Sequence, residues 1–242
     1  MDDCWKARIA VALAILMVSQ GANAQASGSS VISVGWVHIA PQSGSDPLHI
    51  TRIGGASADQ TISGSSSGIR SSNTAGITFE RYFTNHIGVA LIGGWPGMVQ
   101  FEGRGTLGGY GVLGEARVWA PEVVMRYHFG EPQDRFRPFV GLGVSYMRFT
   151  SVRVTNNDFV KGNFGPGGSA TASVSSTWDP AFHVGFDYRL SKHWAAGASL
   201  IYVPAASKVT LVGRTADGTE ISSETKIRLR PVITMLNVSY TF

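Results

Sequence analysis

A strict alternation of side chains constrains the fold of this 242-residue chain more than any other feature. From Trp178 to Leu190 every second residue is apolar, aromatic or proline, whereas His183, Asp187 and Arg189 share the opposite face. A period of two is that of a β-strand, whose successive side chains point to opposite faces. In a soluble sandwich the aromatic face would lie in the core, and in a membrane barrel it would contact lipid. This segment alone leaves both folds open.

Further segments alternate in the same way, which predicts eight strands in all. Besides the first segment, they are residues 31–40, 76–83, 87–95, 117–129, 136–149, 194–203 and 227–242. The connections are alternately long (41–74, 96–115 and 150–177) and short (84–86, 130–135 and 191–193), and the last is a hairpin turning at Asp217–Gly218. Outer-membrane barrels alternate short periplasmic turns with long outer loops, whereas a sandwich has no reason to do so. The sequence therefore predicts an all-β fold, a single eight-stranded antiparallel transmembrane β-barrel with long extracellular loops and short periplasmic turns.

The first 24 residues have the three parts of a secretory signal. Lys6 and Arg8 precede an apolar run over residues 9–18, and Ala22-Asn23-Ala24 forms a small-x-small cleavage site. The run is too short to cross a bilayer as a helix, which needs about 20 residues. We therefore predict a cleaved signal peptide at 1–24 and a barrel at 25–242. The one cysteine lies in the signal, so the mature chain is expected to form no disulfide.

Composition and motifs argue against several classes of function. Only 15% of the residues are charged and the net charge is +4, without the basic stripe that a nucleic-acid partner requires. No nucleophile elbow or metal-ligand spacing is apparent, and the six histidines are scattered singly. We therefore expect no nucleic-acid partner, no metal, no cofactor and no catalytic site, so that the protein is not an enzyme. A lipid-modifying barrel enzyme is the alternative, with no residues to nominate.

The C-terminus carries a pattern typical of barrel assembly. Phe242 ends the chain, and Tyr240 lies on the same face of the last predicted strand. Aromatic residues also occur at both ends of many other predicted strands, as expected for girdles at the headgroup level. We predict that Phe242 and Tyr240 form the signal that the barrel-assembly machinery recognises. Outer-membrane lipid and that machinery are therefore the expected partners.

Charged residues share the inward phase of several predicted strands. They are Glu80, Glu122, Arg126, His128, His183, Asp187 and Arg189. Side chains nearly fill the interior of an eight-stranded barrel, and unpaired buried charges are costly. We therefore expect these groups to pair in an interior polar network, which argues against a general hydrophilic porin. A purely structural role is the simpler interpretation of that network.

Four stretches resemble the OmpW family of small outer-membrane proteins. They are Asn85–Val89, Tyr127–Gly130, Phe136–Gly143 and Val184–Tyr188, in the family's order. The resemblance implies an eight-stranded barrel in the bacterial outer membrane with a narrow, apolar-lined passage for small hydrophobic compounds.

Two isoleucines interrupt the small or polar inward phase of their strands. Alignment through the same motifs places Ile92 and Ile201 at the family's apolar constriction, and interior filling is the alternative role. Two functions therefore remain open. The first is passage of a small hydrophobic ligand, which would enter from outside and leave sideways into lipid. The second is a structural or surface-interaction barrel whose extracellular loops bind partners, with no transport.

Overall fold

The computed structural model describes residues 25–242, so the predicted signal peptide lies outside the described residues. This part of the chain contains 17 strands and one α-helix. The strands are β1 (Ser30–Pro41), β2 (Gly44–Ser45), β3 (Leu48–Ile53), β4 (Ala56–Ile62), β5 (Ser65–Ile69), β6 (Ser72–Tyr82), β7 (Ile87–Gly94), β8 (Gly97–Gly105), β9 (Val112–Trp119), β10 (Glu122–His128), β11 (Phe136–Val154), β12 (Ser169–Val174), β13 (Thr177–Arg189), β14 (Trp194–Tyr202), β15 (Ala206–Arg214), β16 (Glu220–Arg228) and β17 (Pro231–Thr241). The helix α1 spans Asn157–Phe164, and a 3₁₀ turn spans Gly108–Tyr110. None of the helices in residues 25–242 combines the length and apolarity needed to cross a bilayer.

Eight antiparallel strands close into a barrel. Their order is β10–β7–β6–β1–β17–β14–β13–β11, and β11 pairs back with β10. The first and last strands are neighbours, with Val31 opposite Thr241 and Pro41 opposite Pro231. Closure leaves no free sheet edge, which is the condition for strands to lie in hydrocarbon. The predicted eight-stranded antiparallel barrel is confirmed.

The outer surface of the barrel is apolar. Large hydrophobic side chains there are about half accessible, as at Val34, Leu142 and Val184. Accessible aromatic residues lie at both margins of this band: Trp36, Trp95, Trp119 and Trp178 at one end, and Phe136, Tyr188, Trp194 and Phe242 at the other. Exposure of such a band to water would destabilise a soluble barrel, whereas lipid covers the band without this cost.

Two predicted strands are substantially shorter in the structure. The predicted strand 117–129 is divided at Ala120–Pro121, where β9 ends and β10 begins. Proline lacks an N–H group and interrupts a ladder, and β9 leaves the barrel to pair with β8 and with the far end of β11. The predicted strand 227–242 begins only at Pro231, because Ile227 belongs to β16.

The long connections are largely strands. β11 has 19 residues and extends beyond the barrel, where it carries the order β11–β9–β8–β5. A second sheet, β12–β15–β16–β3–β4, stands beside it, and α1 packs between the two through Phe159 and Phe164. Asn156 begins the helix, since its Oδ1 accepts from the Phe159 N–H at 2.7 Å. These connections therefore enclose space above the barrel.

Candidate functional site

The end of the barrel with the short turns contains a cluster of charged side chains. Glu80 on β6 lies 3.0 Å from Arg126 Nη1 and 2.8 Å from His128 Nε2, both on β10. The Asp187 carboxylate on β13 lies 3.9 Å from His128 Nδ1. Gly88 on the intervening strand permits this approach, because a Cβ there would collide with Glu80. We call Glu80, Arg126, His128 and Asp187 the polar cluster.

Three residues that the sequence analysis did not nominate complete this end of the interior. Arg137 is 1% accessible, and it donates to the Gln25 carbonyl at 3.0 Å and to the Asn85 carbonyl at 2.6 Å. The Tyr82 hydroxyl lies 3.2 Å from His128 Nε2. Tyr82 and Arg137 share the inward phase of β6 and β11, so alternation contained a signal for both. Nothing in the local sequence of Gln25 indicates that it folds back into the barrel mouth.

The remaining predicted interior charges lie apart from the polar cluster. Arg189 hydrogen-bonds the carbonyls of Pro132 and Gln133 in a short turn, so it is not a member of the network. Glu122 and His183 form a separate buried pair, with 3.0 Å between Oε2 and Nε2. The seven predicted residues are thus divided into a cluster of four, a pair, and one arginine at the turn.

A cavity of about 90 Å³ lies in the middle of the barrel. Both Ile92 and Ile201 line this mid-barrel cavity. Ile92 lies opposite Glu122 across β7 and β10, and Ile201 lies opposite His183 across β13 and β14. The two isoleucines therefore occur at the level of the buried Glu122–His183 pair, and Glu122 lines the same cavity.

The mid-barrel cavity reaches the barrel wall where β7 and β10 separate. Pairing of these strands ends at Ile92 and Glu122, and Gly93 and Gly94 continue to pair only with β6. The cavity is lined there by Gly93, Trp95 and Ala120. Trp95 is strongly accessible at this margin of the apolar band. The gap therefore faces the surface that the aromatic residues mark.

A second apolar cavity of about 80 Å³ lies among the long connections. Its wall includes Leu48, Phe101, Leu107, Leu113, Phe159 and Leu211. We call it the outer cavity. No residue of its wall apart from Ile227 belongs to a predicted strand, because the others lie in the predicted connections.

One buried hydrophobic cluster joins the two cavities. Its members are Ile69, Val99, Ala116, Met147, Phe149, Ala181, Ile201, Val203, Ala205, Ile227 and Leu229. Ile227 also lines the outer cavity and Ile201 the mid-barrel cavity. We call this cluster the apolar layer. It is close-packed, so an apolar molecule would pass from one cavity to the other only by displacing side chains.

Comparison with known proteins agrees with this architecture. The OmpW family model matches residues 26–242. The chain belongs to the OmpW family. It is 26% identical to Outer membrane protein W of Vibrio cholerae over 216 residues, covering 89% of each chain. The crystal structure of OprG from Pseudomonas aeruginosa is similar (TM-score 0.76, 24% identity, covering 92% of this chain and 99% of that one). The solid-state NMR structure of AlkL is similar at a TM-score of 0.61 and 22% identity, covering 93% of both chains.

Membership of the OmpW family orients the barrel. The protein is located in the bacterial outer membrane, as the proteins named Outer membrane protein W are. The short turns then face the periplasm, and the extended connections face outward. The polar cluster consequently lies at the periplasmic end. The outer cavity lies on the extracellular side, and the mid-barrel cavity faces the outer leaflet.

Proposed function

We propose that this OmpW-family barrel gives passage to small hydrophobic molecules across the outer membrane. The observation that carries the proposal is the set of apolar side chains that connects the outer cavity, through the close-packed apolar layer, to the mid-barrel cavity. A molecule would enter from outside, cross the layer and leave between β7 and β10 into the outer leaflet. Apolar solutes lose little hydration on this route, whereas ions would be excluded by the cost of desolvation.

The polar cluster supports a sideways exit. Glu80 is buried and paired with both Arg126 and His128, and Arg137 fills the mouth below them. A molecule moving on to the periplasm would have to break these contacts and leave charges unpaired, which is costly in a low-dielectric interior. The open strand ends at Gly93 present no comparable barrier.

Ile201 is the member of the predicted constriction that is best placed to control passage. It is 4% accessible and belongs to both the apolar layer and the cavity wall. Ile201→Asp is expected to hydrate the layer, raising small-ion conductance in planar bilayers and weakening apolar-ligand binding. Ile201→Ala should widen the layer without increasing ion leakage. Unchanged conductance and binding in a folded Ile201→Asp variant would indicate that Ile201 only fills the interior.

The lateral exit can be tested by obstructing the cavity mouth. A Cβ at Gly93 would meet open space, so Gly93→Trp adds an indole beside the gap without a clash at the Cβ. Ala198→Trp adds the same ring to the barrel strand β14, away from the mouth, and is the matched control. We expect Gly93→Trp to reduce uptake of a fluorescent apolar probe by cells expressing the protein. Ala198→Trp should leave uptake at the wild-type level.

One result would count against the lateral exit, and another would count against passage itself. Equal uptake in Gly93→Trp and wild type would exclude exit at this gap. Equal uptake in cells with and without the folded wild-type barrel would favour the second function, a structural or surface-interaction barrel whose extracellular loops bind partners. Heat-modifiable gel migration would establish folding in each case.

A further inference from the structure

One acidic side chain interrupts the apolar wall of the mid-barrel cavity. Among the described residues that line this cavity, Glu122 alone carries a charge. Its neighbours there include Ile92, Ile201, Ile233 and Met235. Its side chain is only 5% accessible, so the carboxylate lies in a largely dehydrated setting. A charged group kept in such a place without a function would be a cost to stability.

The two oxygens of this carboxylate differ. Oε2 lies 3.0 Å from His183 Nε2, which holds the side chain in place. Oε1 has no hydrogen-bond donor among the described residues, and Glu122 lines the mid-barrel cavity. Oε1 is therefore the oxygen that remains free to accept a hydrogen bond from a molecule in the cavity.

We propose that Glu122 is a specificity-determining residue, which selects apolar molecules with a terminal hydrogen-bond donor, such as primary alcohols. The donor would bind Oε1 while the hydrocarbon part contacts the isoleucines. Carboxylate ligands would be repelled by the like charge, and ethers would leave the acceptor unsatisfied. The inference rests on the proposed passage, because it assigns a substrate class to the same cavity.

The cavity volume limits the size of the ligand. A water-sized site needs about 10–15 Å³ on this measure, so about 90 Å³ accommodates roughly six to nine non-hydrogen atoms. 1-Hexanol and methyl pentyl ether are isomers of seven such atoms, and only the alcohol has a donor. Hexanoate has nearly the same length with a negative charge.

Isoleucine methyl NMR in lipid nanodiscs can measure binding at the cavity itself. The methyl groups of Ile92 and Ile201 report the site, and that of Ile87, on the lipid-facing surface away from the cavity mouth, reports partition into the bilayer. We expect 1-hexanol to shift the two cavity methyls with about tenfold higher affinity than methyl pentyl ether, equivalent to about 1.4 kcal/mol. Hexanoate should bind more weakly than either at neutral pH.

Two variants separate the acceptor from the charge. Glu122→Leu should abolish the preference for the alcohol over the ether. Glu122→Gln keeps a carbonyl acceptor for His183 but removes the charge, so hexanoate affinity should rise at least several-fold. Glu224→Gln, in the exposed β15–β16 hairpin, is the control and should bind all three probes as wild type does.

The outcomes distinguish this inference from the proposed function. If no probe shifts Ile92 or Ile201 beyond the Ile87 response, the passage proposal itself fails. If the probes bind but the folded wild type does not prefer the alcohol, Glu122 has no selective role while passage remains. Unchanged hexanoate affinity in Glu122→Gln would also overturn the inference, even if Glu122→Leu fails to fold.

Discussion

Replacing Glu80 with leucine would remove the acceptor that Arg126 and His128 share. The side chains of Glu80 and Arg126 are only 5% and 8% accessible, and 3.0 Å separates the paired atoms. Truncating one partner of a buried pair leaves the other charge uncompensated, at a cost of about 3–5 kcal/mol. We therefore expect Glu80→Leu to lower the free energy of unfolding by about that amount, roughly a 140- to 4000-fold change in the equilibrium constant.

The exposed Lys208–Glu224 pair is a control of similar geometry. Its atoms lie 2.7 Å apart, but the side chains are 54% and 35% accessible. Exposed pairs contribute about 0–1 kcal/mol, so Glu224→Leu should have a small effect. Equilibrium urea unfolding in lipid vesicles, followed by gel mobility and tryptophan fluorescence, compares the two variants directly.

A double variant distinguishes an uncompensated charge from simple loss of packing. Glu80→Leu combined with Arg126→Leu removes both members of the pair and should be less destabilised than Glu80→Leu alone. Equal losses in Glu80→Leu and Glu224→Leu would refute the argument from burial. A double variant at least as unstable as the sum of its single variants would show that the arginine charge is not the source of the loss.

The remaining predictions concern the lipid face, assembly and one exposed turn. Val184→Arg places a cation in hydrocarbon and should lower the free energy of unfolding in lipid by about 2–4 kcal/mol. Tyr188→Arg lies nearer the headgroups and should lower it by about 0–1 kcal/mol. The reverse order would contradict the assigned depths of the two residues. Deleting Phe242 should reduce outer-membrane yield more than deleting Gly55 from the exposed β3–β4 turn, and equal yields would argue against an assembly signal. The neighbouring threonine hydroxyls hold the pKa of Asp217 below its usual range, so this carboxylate stabilises the turn above pH of about 3.9 and loses that effect as the pH falls through its folded pKa. An NMR pH titration of the Asp217 signals with a midpoint at or above about 3.9 would contradict this.

The barrel could be predicted from sequence because its signals are local. Alternation along β13 depends only on the backbone of that strand, and the short turn at 84–86 depends only on neighbouring residues. The inward phase of Glu80, Glu122 and Arg126 follows from the same alternation. Alternation indicates the inward face of each strand without information about the strands beside it.

The long connections could not be predicted in this way. Their strands pair across large separations, as Ile227 with Ser45 does, and short segments rich in glycine and serine carry no clear period. The β-propensity of a residue is a poor predictor of strands whose formation depends on pairing and burial. The outer cavity is therefore not predicted from the sequence, and neither are the members of the apolar layer outside the predicted strands, which are Ile69, Val99, Ala116 and Ala205.

The sequence by itself determined which residues face lipid and which face the interior, because that choice repeats with every second residue. It also determined the sidedness of the barrel through the alternation of connection lengths. Only the tertiary structure decided which interior residues meet, since strand order and register set distances across the lumen. Glu80 meets Arg126 across the intervening β7, Glu122 meets His183 across β11, and Arg189 remains at the turn. The position of the Glu122 carboxylate beside the mid-barrel cavity depends on the same tertiary distances. Alternation along a single strand does not predict those distances.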